Sequence, residues 1–445
     1  MLAHGALPVH DPFSYTFAGA RWVPHEWLAE LVMAAAYRAG DWNGLVLLTI
    51  GCFAASLALL TRFLLRQAEP FCALIVVALA AAMVEPHLLA RPHLLAMPLL
   101  VLWSGALFRA RDIGAGPPFR LLPIMVLWAN LHDSYLFGLL LAFYLACEAV
   151  LTGPDRRIEA RRWGLFALLS LGASLATPNG IAGFVQPFRL MAMPALQSSF
   201  IEWQSPNFQQ FQPVEIMLLG LVALGLATGV KVPPMRVLVV VGLCHMALAH
   251  SRHADLLGLV GPLAVAGSLG PQLALKIGAA PPSPIGRLFG RLARPAPPRA
   301  LLLGLTVALM LSLPVLRHPI VRGDDNATPA RALAAAVRMG LAGRVFNSEA
   351  FGDYLVFRGI PTFIDGRIEL YGNAFLAGYL DAIDGDAGAL RRLLDHWGVA
   401  WVLLQPGQPA AGDLAELPGW RRVYRDARAV IYARTGSRPR STALP

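Results

Sequence analysis

Apolar runs alternate with short polar connections along most of this chain. Ten segments carry the pattern: Leu45–Leu65, Phe71–Glu85, His93–Phe108, Phe119–His132, Leu136–Leu151, Trp163–Thr177, Glu215–Val230, Val237–His250, Leu256–Leu275 and Ala300–Leu316. Runs such as GLVLLTIGCFAASLALL and RALLLGLTVALMLSLPVL reach or approach the ~20 residues that cross a hydrocarbon core about 30 Å thick. Several others are shorter, as broken or re-entrant pieces are. The pattern predicts an α-helical polytopic membrane protein with about 10 transmembrane helices.

From about His318 the alternation gives way to a charged, mixed sequence. RALAAAVRMGL has helical spacing, and ALRRLLDHWG reads as an amphipathic helix ending at Gly398. GRVFNS, YLVFRG, PTFID, GVAWVLLQP and ARAVIYART read as short strands between turn residues. The organisation expected is a first-loop segment over 1–43, a helical domain over 44–317 and a C-terminal extracytoplasmic α/β domain over 318–445.

Charge sets the orientation. The connections around RFLLRQAE, RARDIGAGPPFR, TGPDRRIEARR, KVPPMR and KIGAAPPSPIGRLFGRLARPAPPR hold 16 Lys and Arg. The intervening ones, around EPHLLARPH, LHDS, TPNG to Pro213 and HSRHAD, hold three. The positive-inside effect puts the first set in the cytoplasm and the second outside, together with the C-terminal domain and the opening stretch HDPFSYTFAGARWVPHEWLAE. No secretory signal with a basic start and a small-residue cleavage site follows Met1. An outside first loop therefore requires either that the N-terminal tail cross unaided or that a helix stand upstream of this sequence, and the second is the expectation.

Composition agrees: 56% of the residues are hydrophobic and 14% charged, against about 25% charged in a soluble domain. A net charge of +10 would suggest nucleic acid in a soluble protein, but here the basic residues lie between apolar segments, so no nucleic-acid partner is expected. Cys52, Cys72, Cys147 and Cys244 all fall within apolar runs without paired spacing, as small buried hydrophobes do.

The ionisable residues gather on one predicted face. VEPHLLARPH supplies Glu85, His87, Arg91 and His93, WANLHDSY supplies Asn130, His132 and Asp133, and HSRHAD supplies His250, Arg252, His253 and Asp255. The opening stretch adds Asp11, His25 and Glu26. Ionisable groups at membrane depth are costly, so they line cavities or pair with one another. A single histidine at a helix end is ordinarily an interfacial anchor; four polar loops on one face point to a site. Three chemistries suit it: a divalent metal held by carboxylates and histidines, a carboxylate acting as general base on a hydroxyl, and Arg or His holding a phosphate leaving group. In FIDGRIELYG, Asp365 and Arg367 flank a turn glycine, and read either as a structural ion pair or as part of a polar substrate groove. No HExxH, CxxC or GxSxG occurs, which removes support for a zinc protease or serine hydrolase.

DPFSYT, RWVPHEWLAE, ARPHLLAMPLL, WANLHDSYLFG, EWQSPNF, SRHADLLGLVGP and FIDGRIELYG resemble a widespread set of bacterial multi-spanning proteins. The layout of that set looks like the GT-C glycosyltransferase superfamily, which includes protein O-mannosyltransferases, oligosaccharyltransferases and the aminoarabinose transferase of lipid A. The resemblance implies a multi-pass protein of the bacterial inner membrane that transfers a sugar from a polyprenyl-phosphate-linked donor on the periplasmic face. It implies acidic residues in the first two external loops, where Asp11 and Glu85 stand, the second of them sometimes a metal ligand. Arg91, Arg252 and His253 would then meet phosphate, and His25, Glu26, His87, His93, His132, Asp133 and Asp255 would line the cavity. Related sequences open with a further helix and an Asp-containing, Trp-Trp-His-like segment before the equivalent of MLAHGALP, which this chain lacks. Two other readings stand beside the transferase: a lipid-linked sugar flippase or envelope assembly subunit, and a cluster that only anchors the external domain. No internal repeat of the transporter kind is evident.

Overall fold

The computed structural model describes residues 5–277, 284–294 and 296–436. They form two compact units. The helical unit comprises His25–Phe184 and Phe200–Ile320, and the mixed unit comprises the chain up to Pro24, Val185–Ser199 and everything from Val321. This division departs from the expected 1–43, 44–317 and 318–445: the opening stretch up to Pro24 belongs with the C-terminal residues, while His25 onward belongs with the helices.

The helical unit contains α1 (Trp27–Leu64), α2 (Pro70–Val84), α3 (Pro92–Asp112), α4 (Leu122–Leu131), α5 (Tyr135–Thr152) and α6 (Arg156–Ser174). Most of α7 (Gly180–Met191) and all of α8 (Pro194–Ser199) belong to the mixed unit, while α9 (Pro213–Thr228), α10 (Pro234–Ala249), α11 (Ala254–Ile277), α12 (Pro284–Leu292) and α13 (Pro298–Arg317) complete the helical one. Among the described residues six helical stretches are long and apolar enough to cross a membrane: Trp27–Leu64, Pro70–His87, Pro92–Asp112, Tyr135–Thr152, Ser251–Lys276 and Pro298–Arg317. Their composition and length are compatible with a membrane protein, and six such helices stand against the expected ten. Phe119–Leu131, Pro213–Thr228 and Pro234–Ala249 are apolar but shorter. At 1.5 Å per residue, 16 residues reach only about 24 Å. The expected Trp163–Thr177 span overlaps α6, which ends at Ser174 and whose first two turns read RRIEARR and are too polar to be buried in lipid.

Local chemistry explains the helix limits. Glu69 caps α2 by accepting from Phe71 N (2.9 Å) and Cys72 N (3.1 Å), with Pro70 at the first position, where its missing N–H costs nothing. Asp155 caps α6 in the same way. α1 begins eighteen residues before the expected Leu45 and breaks at Gly40 and Asp41, the latter at φ +48°, which an L-residue rarely adopts. The next turn is fixed by Asn43. Its Nδ2 donates to Val315 O and to His318 O (3.0 Å), and its Oδ1 accepts from Ile320 N (2.7 Å) at the end of α13.

Large aromatics fill the bundle. Trp103, Trp128, Trp163, Phe108 and Phe166 are fully buried, and Trp103 stacks on Phe166 at 5.5 Å while donating its indole N–H to Gly138 O (3.0 Å). A Cβ at Gly138 would lie 2.6 Å from the Trp128 ring, so this glycine sets how closely α4 and α5 approach. Arg236, at the start of α10, is buried between Asp112 (3.0 Å) and Glu148 (3.2 Å) and lies over the Phe108 ring.

The mixed unit holds a four-stranded sheet in the order β1-β2-β4-β3, with β1 (Val345–Asn347) parallel to β2 (Trp401–Leu404). β3 (Trp420–Arg425) and β4 (Val430–Arg434) complete it as an antiparallel pair, with β4 also antiparallel to β2. Around it lie α14 (Ala330–Arg338), α15 (Glu349–Phe357), α16 (Ile368–Ile383), α17 (Ala387–His396) and α18 (Pro409–Glu416). The parallel β1–β2 pair requires a crossover, which α15, α16 and α17 supply. The expected strands in GRVFNS, GVAWVLLQP and ARAVIYART form, as do the helices in RALAAAVRMGL and ALRRLLDHWG, the latter ending before Gly398 at φ +60°. Two expectations fail. YLVFRG lies in helix α15, where Phe351 and Leu355, four residues apart, are buried on one face. PTFID forms no strand, only an isolated bridge from Thr362 to Ser14.

Candidate functional site

Two polar clusters collect the candidate residues, one in each unit.

In the mixed unit the cluster centres on Arg367. Its Nε and Nη2 donate to the two oxygens of Asp365 at 2.8 and 2.7 Å, and its Nη1 donates to Asp11 Oδ1 at 2.7 Å. The guanidinium carbon lies 5.0 Å from the Phe13 ring centre and 4.9 Å from that of Trp22, so aromatic faces cover the charge. Asp11, 4% exposed, also accepts from Phe13 N (2.9 Å), Ser14 N (3.1 Å) and Ser14 Oγ. Asp365 accepts further from Thr362 Oγ1 (3.1 Å) and Tyr371 OH (2.8 Å). Burial would raise the Asp365 carboxyl, but the hydrogen bonds and charge of Arg367, with Tyr371, outweigh it and hold the group below the usual carboxylate range. Burial and the neighbouring Asp365 charge push the Tyr371 phenol up, so it remains a donor. Of the two readings of Asp365 and Arg367, the geometry is that of the ion pair, with Asp11 as its second anion. The opening stretch is fastened here, with Tyr15 OH donating to Val345 O (2.9 Å) and Thr16 Oγ1 to Phe363 O (2.7 Å). Asp11, expected as a catalytic acid, stands here as an anchoring carboxylate whose two oxygens each accept two hydrogen bonds.

In the helical unit the polar loops do converge. His25 Nε2 lies 3.3 Å from Asp133 Oδ2, and His132 Nε2 lies 3.5 Å from Glu26 Oε1. The start of α1 is held there because Trp27 Nε1 donates to Asn130 Oδ1 (2.8 Å), whose Nδ2 donates to Val126 O (2.8 Å) and Ala176 O (3.0 Å). Ser134 N donates to His132 Nδ1 at 3.0 Å, so Nδ1 carries no proton and the neutral ring presents its N–H through Nε2 towards Glu26. Ser134 Oγ also contacts Nδ1 (2.9 Å) and accepts from the Trp128 indole (2.9 Å), which orients the imidazole from behind.

His93 adds a third ring, its centre 6.1 Å from that of His132, with Nε2 at 3.0 Å from His87 O. Arg252 lies within Coulombic reach of His93, His132 and Asp255, and its guanidinium covers the Trp203 ring at 4.7 Å. His253 packs against His250 at 5.4 Å between ring centres. Arg91 is exposed and pairs with Glu202 at 3.2 Å. Glu85 is exposed at the first position of the 3-10 turn Glu85–His87 and has no ion-pair partner among the described residues. Eleven buried side-chain atoms among the described residues have no hydrogen-bond partner, and two of them, His87 Nδ1 and His253 Nδ1, lie here; Arg236 Nη1 and Glu148 Oε2 are among the others. Among the described residues no group of three or more His, Cys, Asp or Glu side chains is placed to hold a metal ion.

The structure therefore brings together His25, Glu26, His93, His132 and Asp133, with Arg252 and Asp255 within electrostatic range. It sets Asp11, Asp365 and Arg367 in the other cluster. The sequence reading does not single out Ser134, Glu202 or Trp203, although the last two stand in EWQSPNF. A serine two residues after a helix-ending histidine is the one local signal available for Ser134.

No protein-family model matches the chain, and no curated protein does either.

Proposed function

We propose that the helical unit carries a membrane glycosyltransferase site, which moves a sugar from a polyprenyl-phosphate-linked donor to a lipid, glycan or protein acceptor on the periplasmic face. The observation that supports this reading is the meeting of arginine, two imidazole–carboxylate pairs and two unpartnered buried imidazole nitrogens. A buried polar atom without a partner costs about 1–3 kcal/mol, so His87 Nδ1 and His253 Nδ1 suit a site that a polar ligand completes. The 16-to-3 split of basic residues between alternate connections supports the periplasmic side for these loops.

The chemistry assigns parts. Arg252, with Arg91, neutralises the phosphate of the donor; a guanidinium lying over an aromatic face is held in one plane for such an oxyanion. The acceptor hydroxyl bonds to the anomeric carbon and yields its proton to a base. The exposed Glu85 carboxylate suits that part. The bond between sugar and phosphate oxygen breaks, and the polyprenyl phosphate leaves with the electron pair. His25 and Asp133, with His93 and Asp255, supply the remaining polar groups around the donor.

Transfer from a labelled polyprenyl-phosphate sugar, measured in proteoliposomes, tests this. Alanine at Glu85, Arg91 or Arg252 should abolish product while the protein still elutes as a folded particle. Full activity in all three variants would remove the assignment. Donor crossing the bilayer without a new glycosidic bond would favour the flippase reading.

A further inference from the structure

α12, Pro284–Leu292, occupies a connection between two helical stretches that are each long and apolar enough to cross a membrane, Ser251–Lys276 and Pro298–Arg317. It has nine residues, about 13 Å of helix, so it is far too short to cross. Its sequence, PIGRLFGRL, segregates apolar and basic positions more sharply than α14 or α17. Arg287 and Arg291, four apart, share a side, and both are exposed, as are Arg294 just beyond the helix, Lys276 before it and Arg299 after it. From Lys276 to Arg299 there are five cations and no acid. Residues 278–283 and Pro295 of this connection lie outside the described residues.

The apolar side is divided between protein and surroundings. The Phe289 ring lies 5.8 Å from Phe71 at the start of α2, which fixes where the helix sits on the bundle. Leu288 beside it is 53% exposed, and Phe71 itself is 44% exposed. A leucine and a phenylalanine open to the surroundings, next to a row of arginines and tethered at both ends to hydrocarbon-spanning helices, meet the acyl–headgroup boundary. Arginines at that boundary face lipid phosphate, and a run of cations without acids favours anionic headgroups over zwitterionic ones.

We propose that α12 is an interfacial helix that binds anionic phospholipid, with Leu288 and Phe289 in the acyl boundary and Arg287, Arg291 and Arg294 on the headgroup phosphates. The inference rests on the membrane-spanning helices and is independent of the transferase reading. The test is hydrogen–deuterium exchange of the whole protein in nanodiscs of phosphatidylcholine alone or with about a third phosphatidylglycerol. Amides of residues 284–294 should exchange several-fold more slowly in the anionic discs, with α14 unchanged as the internal control. Raising the salt to about 1 M, or substituting Arg287→Gln, Arg291→Gln and Arg294→Gln together, should remove most of the difference. Equal exchange in the two lipids would overturn the proposal, and it needs no variant to be read. Protection that survives both salt and the triple substitution would overturn it as well.

Discussion

Arg367 meets two carboxylates, and those carboxylates take further donors from Phe13, Ser14, Thr362 and Tyr371. His132 and its neighbours use the same kinds of side chain to different effect. There the pairs are longer, at 3.3 and 3.5 Å, Glu85 is exposed, and two buried imidazole nitrogens have no hydrogen-bond partner. A charge network whose groups satisfy one another holds structure together, as the cluster around Arg367 does. Both are substrate positions in the sequence reading; their hydrogen bonding differs.

Removing the centre of the closed cluster should have the largest effect. Arg367→Ala leaves Asp11 and Asp365 buried as anions, and should cost about 3–5 kcal/mol, seen as early loss of the mixed unit in limited proteolysis on heating. Arg236→Ala in the helical unit strands Glu148 beside Asp112 and should cost a comparable amount in thermal unfolding. Glu85→Gln belongs to the open cluster and should instead lower transfer at least ~100-fold while moving the unfolding midpoint little, since the side chain is exposed.

The pH response follows from Asp365. Its folded value is depressed, so its contribution is fully present above the unfolded value of about 3.9 and is lost as pH falls through the folded value. Unfolding midpoints should be level in this contribution from pH 8 to about 5 and fall below about 4; Asp365→Asn should flatten that acid limb. The smallest change is expected for Arg91→Ala, whose ion pair with Glu202 is exposed: less than about 1 kcal/mol of stability, though transfer should be lost.

Hydropathy made the apolar helices and the change of character near His318 legible, because burial in lipid demands an apolar run whatever its partners are. It overstated how many are long enough to cross, since run length in sequence says nothing about where a helix starts or stops: α6 begins in RRIEARR, and α9 stops at Gly229. YLVFRG has strand-like residues but lies in α15, where the four-residue spacing of Phe351 and Leu355 decided the element. α16 escaped notice because Gly372, at φ +74°, interrupts its periodicity. The convergence of EPHLLARPH, WANLHDSY and HSRHAD could be anticipated from the alternation of loops. The pairing of Asp11 with Arg367 could not, because the partners stand 356 positions apart and neither carries a local signal for the other.

Binding of polyprenyl phosphate to the protein in nanodiscs, compared between wild type and Arg252→Ala, bears on whether the open cluster is the functional site. A loss of tenfold or more in affinity with an unchanged unfolding midpoint is the expected result. Equal affinity in the two proteins would contradict the assignment and return the cluster around His132 to a structural part.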